Sequence, residues 1–258
     1  MTTNGENNGR AATNGHSSHN MAPKITLYTN HRCPYAQRAH ITLDELKLPY
    51  EEVVIDLDTP RPQWYLDINP RGLVPSIKYS VPELLDEEIV TESAIVAQFL
   101  CDAFPSHLLP ASKESPTSAL ARARINFFND TWNNKVATFQ FQVMKADAAE
   151  KEAKANEWAK SIEKEIEPLL ANAKPFFGGS EQLTLAEVLA APFLLRWTSF
   201  IKDGELLPSS FAEKLDALPN FSKWRDAVVA HETVRKVYDE AAIVEGTKKR
   251  LKQLAASK

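Results

Sequence analysis

Residues 24–38, KITLYTNHRCPYAQR, hold the types and spacing best suited to chemistry: a short apolar run, a polar turn, then Cys33-Pro34 at a helix start. Ile25, Leu27 and Tyr28 are strand formers, and Asn30 and His31 break the run. Ile41, Leu43, Leu46 and Leu48 supply the apolar residues of a helix predicted over 35–47. A thiol at a helix N-terminus lies among unpaired backbone N–H groups at the positive end of the dipole, which favours thiolate over thiol near neutral pH. Free cysteines are among the most buried residue types and mostly just pack. Proline directly after Cys33, however, suits the first helical turn and pins the cysteine at the cap, so Cys33 is read as a nucleophile. Position 36 is alanine, so the second thiol of a dithiol oxidoreductase is missing there. Cys33 would be resolved by a thiol from outside the chain, which points to a small-molecule thiol as co-substrate.

The elements that must position this cysteine need a chain with room for them, and 258 residues can bury a substantial core in two domains of ordinary size. A formal charge of −4 gives no global pull toward nucleic acid or anionic membrane. Two cysteines, Cys33 and Cys101, are too few for a disulfide framework and fit a reducing compartment. No apolar run approaches the ~20 residues of a membrane span and the N-terminus has no signal-like hydrophobic region, so a cytoplasmic protein is expected.

Residues 1–22 are rich in Asn, Gly, Ser and Thr and have almost nothing to bury, which predicts a disordered tail. His16 and His19 are read as solvated tail residues, and no metal site is expected. Residues 48–56, LPYEEVVID, predict a second strand parallel to the first through a right-handed crossover. Cys33 then lies at the carboxyl end of the first strand, where open α/β sheets place their ligands. Residues 57–69 form a short irregular or helical connection, 69–72 a turn, and 73–80 a third strand interrupted by Pro75. A proline inside a strand fits an edge or a bulge, and the Val74–Pro75 bond can be cis at modest cost. A fourth strand is predicted over 87–90, then a helix over 91–104 that Thr91 or Ser93 can cap, with Cys101 as a core residue.

Residues 103–116 are rich in proline and serine and read as a linker; the chain beyond them reads as helix. Ile125, Phe128, Trp132, Val136, Phe139 and Val143 step by three and four, as do Trp158, Ile162, Ile166 and Leu169. Phe177-Gly178-Gly179-Ser180 turns the chain, and Thr184 with Glu187 makes a capping-box pattern that opens a helix through Phe200. Phe221, Trp224, Val228, Val234, Val237 and Tyr238 supply a last stripe, and the basic end, 246–258, reads as a fraying helix.

With CPYAQR at 33–38, NPRGLVPSI at 69–77, ESAIVAQFL at 92–100 and TLAEVLAAP at 184–192, the chain resembles the glutathione transferase superfamily. The Cys-Pro-aromatic-Ala context and the N-terminal extension look most like the omega class and its fungal relatives, although Glu187 stands where the family usually has aspartate. The resemblance implies a thioredoxin-like, glutathione-binding α/β domain over 23–104, a linker over 105–116 and an all-helical domain over 117–258. It also implies a glutathione site. Val74, before Pro75, would pair its backbone with the cysteinyl part of glutathione, which docks as an added strand. Ser93 and the helix start would take the γ-glutamyl carboxylate and Glu92 its ammonium. Arg61 would face the glycyl carboxylate. Tyr35 would line the pocket for the second substrate, with Trp132, Arg196, Trp197 and Tyr238 as further candidates, while Tyr28 is read as a packed strand residue.

The expected activity is glutathione-dependent thiol transfer: Cys33 forms a mixed disulfide with glutathione, and disulfides, dehydroascorbate or glutathione conjugates are reduced. Glutathione enters as co-substrate, with no bound cofactor, beside a small electrophilic or disulfide-containing substrate. A conjugating transferase of detoxification or secondary metabolism is the rival enzyme, and a non-catalytic binding or regulatory module the rival of another class. A channel-like relative is disfavoured by the lack of a long apolar segment. A homodimer is expected from the resemblance alone.

Overall fold

The computed structural model describes residues 22–256, so nearly all of the expected disordered tail lies outside the described residues. The strand-forming run becomes β1 (Lys24–Thr29), and Cys33 is the N-cap of α1 (Pro34–Glu45), with proline at its first position. β2 (Glu51–Val54) pairs parallel to β1, and a short helix α2 (Gln63–Ile68) leads toward β3 (Ser76–Val81) and β4 (Leu85–Thr91). The sheet order is β2-β1-β3-β4, with β3 antiparallel to both of its neighbours. α3 (Ser93–Ala103) completes this part.

β1 shows how the pattern builds the layers. Alternate residues of a strand face opposite sides. Ile25 and Leu27 join Ala39 and Leu43 of α1, Ile77 of β3, and Val96 and Leu100 of α3 in one apolar layer. Tyr28 turns the other way and packs against Tyr65 of α2, so it is the packed strand residue expected. β3 is central in the sheet, not the edge strand that an internal proline would require, because Pro75 stands one residue before its start behind a cis bond to Val74. The missing proline N–H therefore takes nothing from the ladder.

The remainder is helical: α4 (Ser118–Thr131), α5 (Phe139–Lys145), α6 (Ala148–Glu165), α7 (Leu185–Asp203), α8 (Ser210–Asp216), α9 (Pro219–Ala230), α10 (Glu232–Arg235) and α11 (Glu240–Ala256). The stripe from Ile125 to Val143 is not one α-helix. A π-helical turn at Trp132–Val136 separates α4 from α5, and it adds the residue needed to keep Trp132, Val136 and Val143 all buried. The stretch read as a linker carries Leu108 and Leu109 into the helical core, and the Leu108 carbonyl accepts the Leu185 N–H at 2.8 Å. Apolar α7 runs through the middle, packed against α1, α4, α9 and α11. Its start is the capping box read from Thr184 and Glu187. Among the described residues no helix is long and apolar enough to cross a membrane.

Candidate active site

Asn30 builds the turn that presents Cys33. Its carbonyl accepts the Cys33 N–H at 2.9 Å, its Oδ1 accepts the Arg32 N–H at 3.0 Å, and its Nδ2 donates to the Ile55 carbonyl at 2.9 Å. The turn is thereby tied to the end of β2. Cys33 is half-buried and donates its thiol hydrogen toward the Val74 carbonyl, Sγ to O 3.8 Å, across 41 residues of chain. Tyr65 Oη and Asn69 Nδ2 both donate to the neighbouring Leu73 carbonyl, at 2.5 and 2.9 Å, and both bond Ser76 Oγ. These two buried side chains hold the Leu73–Pro75 corner in place, a role the sequence pattern does not reveal.

Glu92 and Ser93 lie at the start of α3 as expected, but neither Thr91 nor Ser93 caps it. Glu92 is the N-cap, with a strained backbone at φ 70°, ψ 117°, and no side-chain cap bond is made. The capping expectation fails because Ser93 is already the first helical residue and its hydroxyl is held elsewhere. Ser93 Oγ accepts from Arg38 Nη1 at 3.1 Å, and the exposed Arg71 guanidinium pairs with the Glu92 carboxylate.

Arg38 is the residue of this site that the sequence motif contains without marking a role for it. Its guanidinium is buried and donates to the Leu189 carbonyl at 2.9 Å, to Ser93 Oγ, and to Asn133 Oδ1 of the π-helical turn at 3.0 Å. Arg196 is buried too, donating to Gln37 Oε1 and the Pro192 carbonyl, each at 2.7 Å, and to the Arg32 carbonyl at 3.0 Å. None of these partners is a carboxylate. Burial pulls each arginine down to about 10, and the charge of Cys33 is among the influences that push each back up. Both remain cations at neutral pH, on the inner side of the cysteine. An arginine five positions after Cys33, on the side of the helix that carries Tyr35, Ile41 and Thr42, was the available signal.

The other candidates divide. Tyr35 is exposed beside Cys33, edge-on to Phe193 and against Arg38. Arg61 staples its own loop: Nε donates to the Gly72 carbonyl, and Nη1 to the Asp56 and Thr59 carbonyls. Trp132 and Trp197 stack in the buried core with centroids 5.0 Å apart, Arg196 is committed as described, and Tyr238 is bonded to Ser199. Trp132, Arg196 and Trp197 are corrected from pocket candidates to structural residues because they are buried, while Tyr238 is half-buried. Cys101 is buried, and burial pushes its thiol up to about 12, so it is the core cysteine expected.

A cysteine-capped helix after β1, a cis-proline corner facing it and a polar helix start beyond that corner occur together on a four-stranded sheet backed by a helical bundle. A family model for the glutathione S-transferase N-terminal domain matches residues 27–111. Over most of the chain, a solved structure of glutathione transferase Omega 2C from Trametes versicolor superposes with a TM-score of 0.74 at 30% identity, covering 88% of this chain and 98% of that one. The chain belongs to the glutathione transferase superfamily and is omega-like. Among curated relatives, glutathione S-transferase omega-1 of Mus musculus is 28% identical over 215 residues, 75% of this chain and 82% of its own. Glutathione S-transferase DHAR2 of Arabidopsis thaliana is 29% identical over 191 residues, 74% of this chain and 78% of its own. The N-terminal fold of this omega-like transferase is the thioredoxin-like one expected, and the C-terminal part is helical.

Proposed function

We propose that this glutathione transferase is a thiol transferase and reductase whose nucleophile is Cys33. The observation that carries the reading is the placement of the Cys33 sulfur 3.8 Å from the Val74 carbonyl, with the only other cysteine buried in the core. The thiol thus stands at a backbone edge suited to a peptide ligand and has no resolving partner in the chain. In this reading glutathione lays its cysteinyl backbone along Val74 beside Pro75. Its γ-glutamyl carboxylate meets Ser93 and the uncapped N–H groups of α3, and its ammonium meets Glu92. Arg61, with Nε and Nη1 already committed, would offer Nη2 to the glycyl carboxylate.

The Cys33 thiolate attacks the glutathione sulfur of a mixed disulfide, forming the Cys33–glutathione disulfide and releasing the substrate thiolate. A second glutathione thiolate attacks that disulfide, regenerating Cys33 and releasing oxidised glutathione; one free glutathione thiol is oxidised per glutathione mixed disulfide reduced. Arg38 supports the site by occupying a lone pair of Ser93 Oγ, which leaves the hydroxyl free to donate to an anion. The reading also takes the chain as a homodimer working in a reducing compartment such as the cytoplasm, and sedimentation velocity at twice the chain mass of 28.9 kDa checks the first of these.

Intact-mass measurement after incubation with oxidised glutathione tests the chemistry. One added glutathione is expected, lost in Cys33→Ala along with disulfide-exchange turnover, while glutathione binding persists. Modification confined to Cys101, or unchanged turnover in Cys33→Ala, would overturn the proposal.

A further inference from the structure

Behind the Cys33 turn, three metal-ligating side chains from three different elements converge: His31 of the turn, His40 of α1 and Glu52 of β2. Their donor atoms all lie within 4.8 Å of one another. Glu52 stands between the imidazoles, with Oε1 2.8 Å from His31 Nε2 and Oε2 3.9 Å from His40 Nε2. The rings meet edge to face at 5.1 Å.

We propose that His31, His40 and Glu52 form a divalent-metal site, and that zinc is the ion that suits it. Two imidazoles and one carboxylate are a donor set zinc favours, with water or another ligand completing four-coordination. Zinc–ligand distances of ~2.0–2.2 Å place tetrahedral ligands roughly 3.3 Å apart, so the most widely separated donors need to close by up to about 1.5 Å. The two ligands that must move are the free ones: His31 sits on an exposed turn and Glu52 on an edge strand, whereas His40 is fixed and fully buried.

His40 has the surroundings of a ligand. Tyr50 Oη lies 3.0 Å from its Nδ1, the outer hydrogen bond that orients a metal-bound imidazole and leaves Nε2 to bind. The Thr29 hydroxyl, 2.8 Å from Nε2, is the partner that zinc would displace. His31 is two residues before Cys33, so a bound ion would tie the cysteine's turn to β2. The site does not use the thiol, and it stands or falls independently of thiol transfer.

The test uses the full chain carrying His16→Ala, His19→Ala and Cys33→Ser, which removes the tail imidazoles and the thiol as competing ligands. Zinc alone is titrated in competition with a chromophoric chelator at neutral pH. One zinc per chain is expected, weakened at least about tenfold by His31→Ala, by Glu52→Gln and by the orienting change Tyr50→Phe. Circular dichroism checks that each variant is folded, and the exposed positions of His31 and Glu52 keep the test valid if buried His40 tolerates no change. Cobalt(II) in place of zinc should give the strong visible bands of a four-coordinate ion, lost in His31→Ala. No zinc binding, binding indifferent to His31→Ala and Glu52→Gln, or the weak spectrum of six-coordinate cobalt would overturn the proposal.

Discussion

A sulfur nucleophile gains most from positive charge that is fixed nearby and not already neutralised. Arg38 and Arg196 meet that condition, since both are buried against carbonyl, amide and hydroxyl oxygens and neither faces a carboxylate. Replacing Arg38 with Met should cost about 2–4 kcal/mol in urea unfolding, because two buried acceptors and a half-buried one lose a charged donor. It should also raise the KM for glutathione in the exchange assay, because Ser93 loses the bond that orients it. The two cysteines should separate cleanly by chemistry. Iodoacetamide near neutral pH is expected to alkylate Cys33 in the folded protein and to reach Cys101 only after denaturant is added. Burial holds the Cys101 thiol near 12 against an ordinary 9, so the unfolded chain loses that proton first. Its contribution to stability is complete below about pH 9 and falls as pH rises toward 12, by up to about 1.4 kcal/mol per pH unit. Unfolding midpoints for Cys101→Ala should lack that component of the slope.

At the scale of elements, α7 depends on one buried carboxylate. Glu187 accepts from the Thr184 N–H and hydroxyl at 2.8 and 2.6 Å, the Phe177 N–H at 2.8 Å and Trp224 Nε1 at 2.6 Å. It thereby joins the helix start to the Phe177 turn and to α9. Glu187→Ala leaves four buried donors without an acceptor, and a loss of ~3–5 kcal/mol in urea unfolding is expected. At α11 the sign reverses. Gly246 is in mid-helix, and an added Cβ would meet the Arg32 side chain at 3.4 Å, an ordinary contact distance. Gly246→Ala should therefore raise stability by about 0.5–1 kcal/mol, read from the same unfolding curves.

Across the whole molecule, the thioredoxin-like part is completed by the helical part. Gln37 donates to the Val234 carbonyl at 3.0 Å and accepts from Arg196, while Arg38 reaches Leu189 and Asn133. A fragment of residues 22–104 would expose these polar groups' apolar surroundings and strand Arg38, so it should show neither cooperative unfolding nor dispersed NMR resonances.

Much was legible along the chain because it rests on local rules. Alternation in β1, proline behind the cap cysteine, and the Thr184 to Glu187 spacing each act within a few residues, so β1, α1 and α7 are determined by the sequence alone. Cys33 could be singled out for the same reason, as could its lack of a nearby second thiol. Pattern also sorted Cys101 into the core. The tertiary structure decided what touches Cys33. That Val74 faces its sulfur, that Arg38 turns inward to hold Ser93, that Trp132 and Trp197 stack in the core, and that His31, His40 and Glu52 converge are contacts between elements far apart in the chain. A polar side chain is buried when an interface from elsewhere supplies its hydrogen bonds, and no periodicity in its own segment records that partner.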